Sequence, residues 1–455
     1  MLILKKFRFL IYSLVIVFLL MAQIAMSDNL ESEVEKFGLI DKTGKYVVEP
    51  QFDWISNFSE GLALVRLDNK VKYIDRTGKV VIELQFDGGS SNFSEGLAVA
   101  TLKSNDKSGY IDNTGKYVIP PQFDAAYSFQ EGLAMVRIDN KYGYINKQGS
   151  YVIPPRFDYA TKFLEGIAVV EVEQKYGLID QTGNYIVAPS FDYIYNSDNH
   201  GGISDPAEFQ DGLMRVGMGG QRCYMGGVTG GKWGYINKMG KVVIPFKFAM
   251  SGEFYNGRAM VSLSTLDCEG LNPIKWEYIN SLGEYITGLQ FDRASNFSEG
   301  LAAVEIGGKS GYIDLSGKLV IPPQFKSGSE FSEGLAAIRI SENGLYGYID
   351  KTGKFVISPQ FSGAENFSGG SAGVEVNDKR GLIDKTGKYL IEPKFDAISE
   401  FSEGLALVDL NKKSGYIDET GKVVIEIKFD SAGSFDGGIA IVGVKQRLRT
   451  REVKK

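Results

Sequence analysis

Gly109-Tyr-Ile-Asp-Asn-Thr-Gly-Lys-Tyr-Val-Ile-Pro-Pro-Gln-Phe-Asp-Ala-Ala-Tyr-Ser-Phe-Gln-Glu-Gly-Leu-Ala-Met-Val136 decides the fold, because residues 37 to 444 are variations on it. Two landmarks set the period. Tyr or Leu, then Ile, then Asp or Asn begins at Leu39, Tyr73, Tyr110, Tyr144, Leu178, Tyr235, Tyr278, Tyr312, Tyr348, Leu382 and Tyr416. Phe-x-x-Gly begins at Phe58, Phe93, Phe129, Phe163, Phe209, Phe254, Phe297, Phe331, Phe367, Phe401 and Phe435. The first four of these Phe residues lie 35, 36 and 34 residues apart. A fixed period of this size is the mark of a repeat architecture.

Each unit reads as three short strands. Strand A, Leu133 to Ile138, alternates apolar residues as a half-buried strand does. The polar turn Asp139-Asn-Lys141 leads to strand B, Tyr142 to Ile145, and Asn146-Lys-Gln-Gly149 closes a hairpin onto strand C at Tyr151-Val-Ile153. An Asx opening and a Gly closing suit a turn with a left-handed last residue. Pro154-Pro155 follows strand C, as Pro120-Pro121 and Pro322-Pro323 do elsewhere. Proline donates no ladder hydrogen bond, so pairing stops there or the strand lies at an edge. Alanine after the first strand A residue (Ala63, Ala98, Ala134, Ala168, Ala302, Ala336, Ala406) leaves room for a neighbouring sheet. One such unit cannot bury its apolar face alone, but stacked neighbours can.

The pattern resembles the WG (KWG) repeat family, tandem β-repeats found mostly in bacterial proteins, over nearly all of residues 37–444. Lys232-Trp233-Gly234 reproduces the signature literally. Other units carry Tyr-Gly at Tyr142, Tyr176 and Tyr346 or Ser-Gly at Ser108, Ser310 and Ser414, while Lys72 and Glu277 replace the glycine in two. The resemblance brings no catalytic residues and implies a binding or scaffolding module. The fold expected is all-β, a tandem array of eleven three-stranded antiparallel meanders, as an open superhelical array or a propeller-like ring. Eleven A strands and eleven B–C hairpins stand one strand out of phase, so the last strand A could pair with the first hairpin and hide both edges. Eleven blades exceed the usual propeller range of about 4–8. The open array is therefore the leading expectation, with a ring or two propellers split near the middle as competitors.

Residues 1–27 read as a signal peptide: Lys5, Lys6 and Arg8, an uncharged run from Phe9 to Ser27, and small residues at Ala25 and Ser27. An uncleaved anchor is the alternative. No cysteine follows the run for a lipoprotein anchor, and no second apolar run marks an embedded membrane segment. Export to the periplasm or beyond is expected. A short linker at 28–36 then precedes a first repeat block at 37–195, irregular repeats with insertions at 196–276, a second block at 277–444 and a basic tail at 445–455. The formal charge of −6 falls to −9 without the leader, which argues against a nucleic-acid partner because phosphate binding needs a basic surface.

Insertions at Tyr195–Asp205, Gly217–Gly231 and Ser264–Lys275 are the places to look for function, since loops on a rigid scaffold commonly carry it. Cys223 and Cys268 occupy equivalent offsets in the two lengthened A–B turns, and in an oxidising compartment a disulfide between them is expected. Asp198, His200, Asp205, Trp233, Asp267 and Trp276 are the candidate binding residues of this region. One histidine and two distant cysteines make no metal cluster, so neither a metal nor another cofactor is expected. The abundant carboxylates recur with the repeat (Asp53, Asp87, Asp124 and Asp158 after a Phe; Glu60, Glu95, Glu131 and Glu165 before a Gly), a pattern of turn capping rather than catalysis. The tyrosines of the first landmark read as an internal stack. The expected role is a non-enzymatic exported binding or scaffold module for a protein or glycan. The alternative is a carboxylate-dependent enzyme acting on extracellular polysaccharide, which would need non-repeat carboxylates such as Asp198, Asp205 or Asp267 to converge.

Overall fold

A computed structural model describes residues 33–83, 90–102, 104–194, 208–222, 228–264 and 274–447, and contains strands and turns with no helix among them. Numbered along the chain, the blades begin at Trp54, Ser90, Ala125, Tyr159, Tyr193, Met250, Arg293, Ser327, Gly363, Ala397 and Ser431, and blade 3 shows the unit. A two-residue lead strand, Ala125–Ala126, precedes strand A (Ala134–Ile138), strand B (Lys141–Ile145) and strand C (Tyr151–Phe157), and the four pair in that order as an antiparallel sheet. The lead strand is an addition to the expected three. Two tight turns join these strands: Glu131-Gly132 with φ of 53° and 81°, and Asp139-Asn140 with φ of 50° and 60°. Positive φ at both central residues is the turn whose twist matches that of paired strands.

Strand C is an edge strand, and its prolines sit in a bulge. Tyr144 pairs with Ile153, but Tyr142 pairs with Phe157, so residues 154–156 have no partner on strand B. The Gly of the signature makes this bulge possible. A Cβ on Gly143 would stand 2.6 Å from both the Ile153 carbonyl oxygen and the Pro155 nitrogen. The two units without that glycine confirm the reason. Blade 6, with Glu277, has no regular strand C, only isolated pairings of Trp276 with Phe291 and Ile279 with Tyr285. In blade 1, Lys72 pairs directly with Glu83 next to Tyr73 with Ile82, without the bulge.

The core lies between blades. One apolar cluster joins Met135, Tyr144, Ile153 and Phe157 of blade 3 to Phe163, Ala168, Val170 and Ile179 of blade 4, and the same composition repeats around the chain. The open superhelix is overturned. Glu33–Asp41 pairs antiparallel with Ile439–Arg447 over its whole length, with Gly38 opposite Val442, and one sheet holds strands from both ends of the chain. Eleven sheets therefore form an eleven-bladed propeller-like ring. Closure extends the terminal strands beyond the repeat, so part of the expected linker (33–36) and part of the expected tail (445–447) belong to the closing sheet. Pairing removes the unsatisfied edges that an open array would leave at both ends.

Candidate functional site

The recurrent carboxylates are committed to holding the ring. At the B–C turn, Asp112 Oδ1 accepts the Thr114 amide (2.9 Å), the Thr114 hydroxyl (2.6 Å) and the Lys116 amide (3.1 Å). The Thr114 hydroxyl is the main cause holding this carboxyl below its ordinary value. After strand C, Asp124 takes Lys107 Nζ of blade 2 at 2.5 Å on one oxygen and the Asp139 amide of blade 3 at 2.8 Å on the other. The glutamates do not cap their own turns. Glu95 of blade 2 accepts the Gly132 amide of blade 3 at 3.1 Å and pairs with Lys147 of blade 3 at 3.1 Å. Glu299 with Gly334 and Lys351, Glu333 with Gly370 and Lys385, and Glu403 with Gly438 and Lys42 repeat the device.

The landmark tyrosines are internal, but each meets a phenylalanine of the next blade rather than stacking on another landmark tyrosine. Tyr144 donates its hydroxyl to the Thr161 carbonyl of the next blade at 2.6 Å, and its ring meets Phe163 at 4.7 Å. Burial pushes the phenols of Tyr73, Tyr110, Tyr144, Tyr235, Tyr278, Tyr312, Tyr348 and Tyr416 well above their usual range.

Of the candidate binding residues, the described region contains Trp233 and Trp276. Cys223, Cys268, Asp198, His200, Asp205 and Asp267 lie outside the described residues, and so does their proposed disulfide. Both tryptophans are half-buried at the signature position of consecutive blades, beside the two lengthened A–B turns. Trp276 packs on the cluster of Tyr278, Phe291 and Phe297. Trp233 is built differently. Gly217 opposite it lacks a side chain, and a Cβ there would come within 3.3 Å of both the indole and the Tyr193 ring. The indole and Tyr193 pack 6.2 Å apart, with the Arg215 guanidinium 5.1 Å from the indole centroid. Such a cation–ring contact contributes about 0.5–2 kcal/mol. Arg215 also donates to the Ser251 carbonyl of blade 6.

A larger aromatic run lies in the two preceding blades, and only the structure assembles it. Tyr127, Tyr142, Tyr159 and Tyr176 follow one another across blades 3 and 4 at 6.4, 6.4 and 6.3 Å, and blade 5 holds the further pair Tyr193 and Trp233. The available signal was positional. Tyr159 and Tyr193 occupy the place of Ala125, Ser327, Gly363 and Ala397 in other units. The aromatic run thus occupies blades 3 and 4, the Tyr193–Trp233 pair blade 5, and the lengthened turns blades 5 and 6. No helix of the described residues is long and apolar enough to cross a membrane, and no group of three or more possible metal ligands occurs among them.

A closed ring of β-repeats with a Gly-dependent bulge in each regular blade defines the class of protein. The description "WG containing repeat" matches residues 37–70, 73–105, 109–142, 142–176, 176–201, 233–264, 278–309, 311–343, 346–379, 381–413 and 415–445, and the chain belongs to this family. Among curated proteins, none matches it in sequence. Among solved structures, it is similar to a eukaryotic initiation factor at 10% identity, covering 73% of this chain and 95% of that one, with a TM-score of 0.34. It is also similar to apo AztD from Citrobacter koseri at 12% identity, covering 91% and 98%, with a TM-score of 0.28. The extracellular domain of a putative hybrid two component system from B. thetaiotaomicron matches at 13% identity, covering 88% and 68%, with a TM-score of 0.25. At those scores the likenesses carry nothing about function.

Proposed function

We propose that this chain is an exported, non-catalytic binding or scaffold module, and that blades 3 to 6 present its contact surface to a protein or glycan. The Tyr193–Trp233 pair beside the lengthened turns of blades 5 and 6, next to the aromatic run of blades 3 and 4, carries the reading. Aromatic side chains beside polar loops supply large contact area with polar handles, the composition of interaction hot spots. The recurrent carboxylates favour the same conclusion, because their oxygens are taken by amides and lysines that hold turns and blades. The basic leader followed by an apolar run supports export.

The test is capture of envelope components by the full exported chain. Its binding to an array of cell-envelope glycans would be measured beside in-cell crosslinking with mass spectrometry. Replacing Tyr193 and Trp233 by Ala is expected to abolish the signal, while Tyr151→Ala on an exposed strand C leaves it intact. Capture untouched by the double substitution would place the contact elsewhere. A folded chain that captured nothing in either experiment would remove the proposal.

A further inference from the structure

Successive blades are braced at the Phe-x-x-Gly end by a recurring set of polar contacts, and one joint stands apart. At the joint between blades 8 and 9, Tyr348 donates to the Glu365 carbonyl, Ser332 Oγ to the Phe367 carbonyl, and Glu333 binds both the Gly370 amide and Lys385. The joint between blades 10 and 11 has the same contacts from Tyr416, Ser402, Glu403 and Lys42. Even the irregular joints retain some. Lys238 pairs with Glu165 between blades 4 and 5. Tyr235 and Asp211 bind blade 6, Tyr278 and Asn256 bind blade 7, and Arg76 pairs with Asp436 across the joint after the closing blade.

Between blades 9 and 10 the whole set is missing among the described residues. Leu382 replaces the tyrosine, Gly369 replaces the glutamate, and exposed Glu419 stands where Lys385 and Lys42 stand in their units. Ser368 is present, yet it makes no bond to the Phe401 carbonyl corresponding to that of Ser332. The carboxylate and its lysine have been lost together. At the opposite end this joint is intact: Asp396 binds Lys379 Nζ at 2.5 Å and the Asn411 amide at 2.7 Å. Beside Glu419, in the same B–C turn, Lys394 donates to the Gly421 carbonyl at 3.3 Å as the one polar contact left there among the described residues, and apolar contact survives through Ile391, Phe395, Ala406 and Val408.

We infer that this joint is a built-in hinge: the ring opens first between blades 9 and 10, at the end carrying Gly369 and Glu419, pivoting on Asp396. Local opening follows the loss of bonds that hold one element to the next. At the regular joints opening must also give up tyrosine and serine hydrogen bonds to part-buried carbonyls, which are costly to leave unmade, whereas the joint between blades 4 and 5 is braced at this end by the Lys238–Glu165 ion pair.

Hydrogen exchange read by mass spectrometry tests this on the full chain. Amides of residues 401–406 are expected to exchange at least roughly tenfold faster than the equivalent amides at 331–336. The triple variant L382Y/G369E/E419K should bring them to the rate of the other joints. The Gly369 change is sterically open: a Cβ there meets nothing within 4 Å, and glutamates at that position elsewhere already adopt φ of 50–53°, as Glu165, Glu131 and Glu403 do. As a converse, E333G/K385E should speed exchange at 371–376. Equal protection of both hairpins in the unaltered chain overturns the inference. So does a folded triple variant whose exchange at 401–406 is unchanged.

Discussion

A single hydroxyl shows how far one residue reaches in this ring. Tyr144 is fully buried, and its bond to the Thr161 carbonyl joins two blades whose shared core it also fills. Tyr144→Phe keeps the packing but leaves that carbonyl without its donor. A loss of about 1–3 kcal/mol is expected, read as a lower denaturant midpoint at unchanged slope. Lys147→Ala should cost less than about 1 kcal/mol by the same measurement, because its ion pair with Glu95 is solvent-accessible. The carboxylates set the response to acid. Asp112, Asp124, Glu299, Glu333 and Glu403 are all held below their ordinary values. A depressed folded-state pKa means the unfolded chain takes up protons first, so the stabilisation is complete above the ordinary carboxylate range and is lost as pH falls from that range through the lower folded-state values. The melting temperature is therefore expected to change little from pH 7 to about 5.5 and to drop steeply below about 4. A melting temperature unchanged at pH 3 would show that the turn and blade contacts do not stabilise the fold.

At the scale of the element, the signature glycine and the strand C bulge are one device. Strand B comes so close to the bulged strand C that a methyl group at Gly143 would collide with backbone atoms, which cannot move aside as a flexible side chain can. Gly143→Ala should detach strand C of blade 3 as Glu277 does in blade 6. The expected cost is about 1–3 kcal/mol, with exchange rising selectively at residues 151–157. Protection there equal to that of the parent would mean that the blade accommodates the methyl. The same device explains why proline is tolerated in this strand: the bulge places it where strand B offers no partner.

For the whole molecule, closure is the decisive event. The apolar clusters lie between blades, so each blade except those at an open end has two partners, and closure gives the terminal blades the same. Removing residues 439–455 takes away the strand that pairs with Glu33–Asp41 and exposes an edge on both sides of the gap. The truncated chain is expected to melt well below the parent and to self-associate in light scattering, since unpaired edges recruit one another. A truncated chain that stayed monomeric with the parent's melting temperature would show that the terminal pairing adds nothing. Ion pairs partly exposed to solvent brace the joints, so high salt should lower the melting temperature modestly in the parent.

The amino-acid sequence by itself determined the repeat, its strands and turns, and the internal place of the tyrosines, because these follow from local alternation, turn chemistry and a period that recurs. It also marked blades 5 and 6 as the irregular sector, through the lengthened turns around Trp233 and Trp276. Three matters were decided by tertiary structure alone. Whether the array closes depends on the small rotation from one blade to the next summed around the chain, and no single unit encodes that sum. That the glutamates brace the following blade rather than their own turn depends on which blade end faces which. The aromatic run of blades 3 and 4 joins positions on different strands: Tyr127 meets Tyr142 within blade 3, and Tyr142 meets Tyr159 only because blade 4 stacks on blade 3.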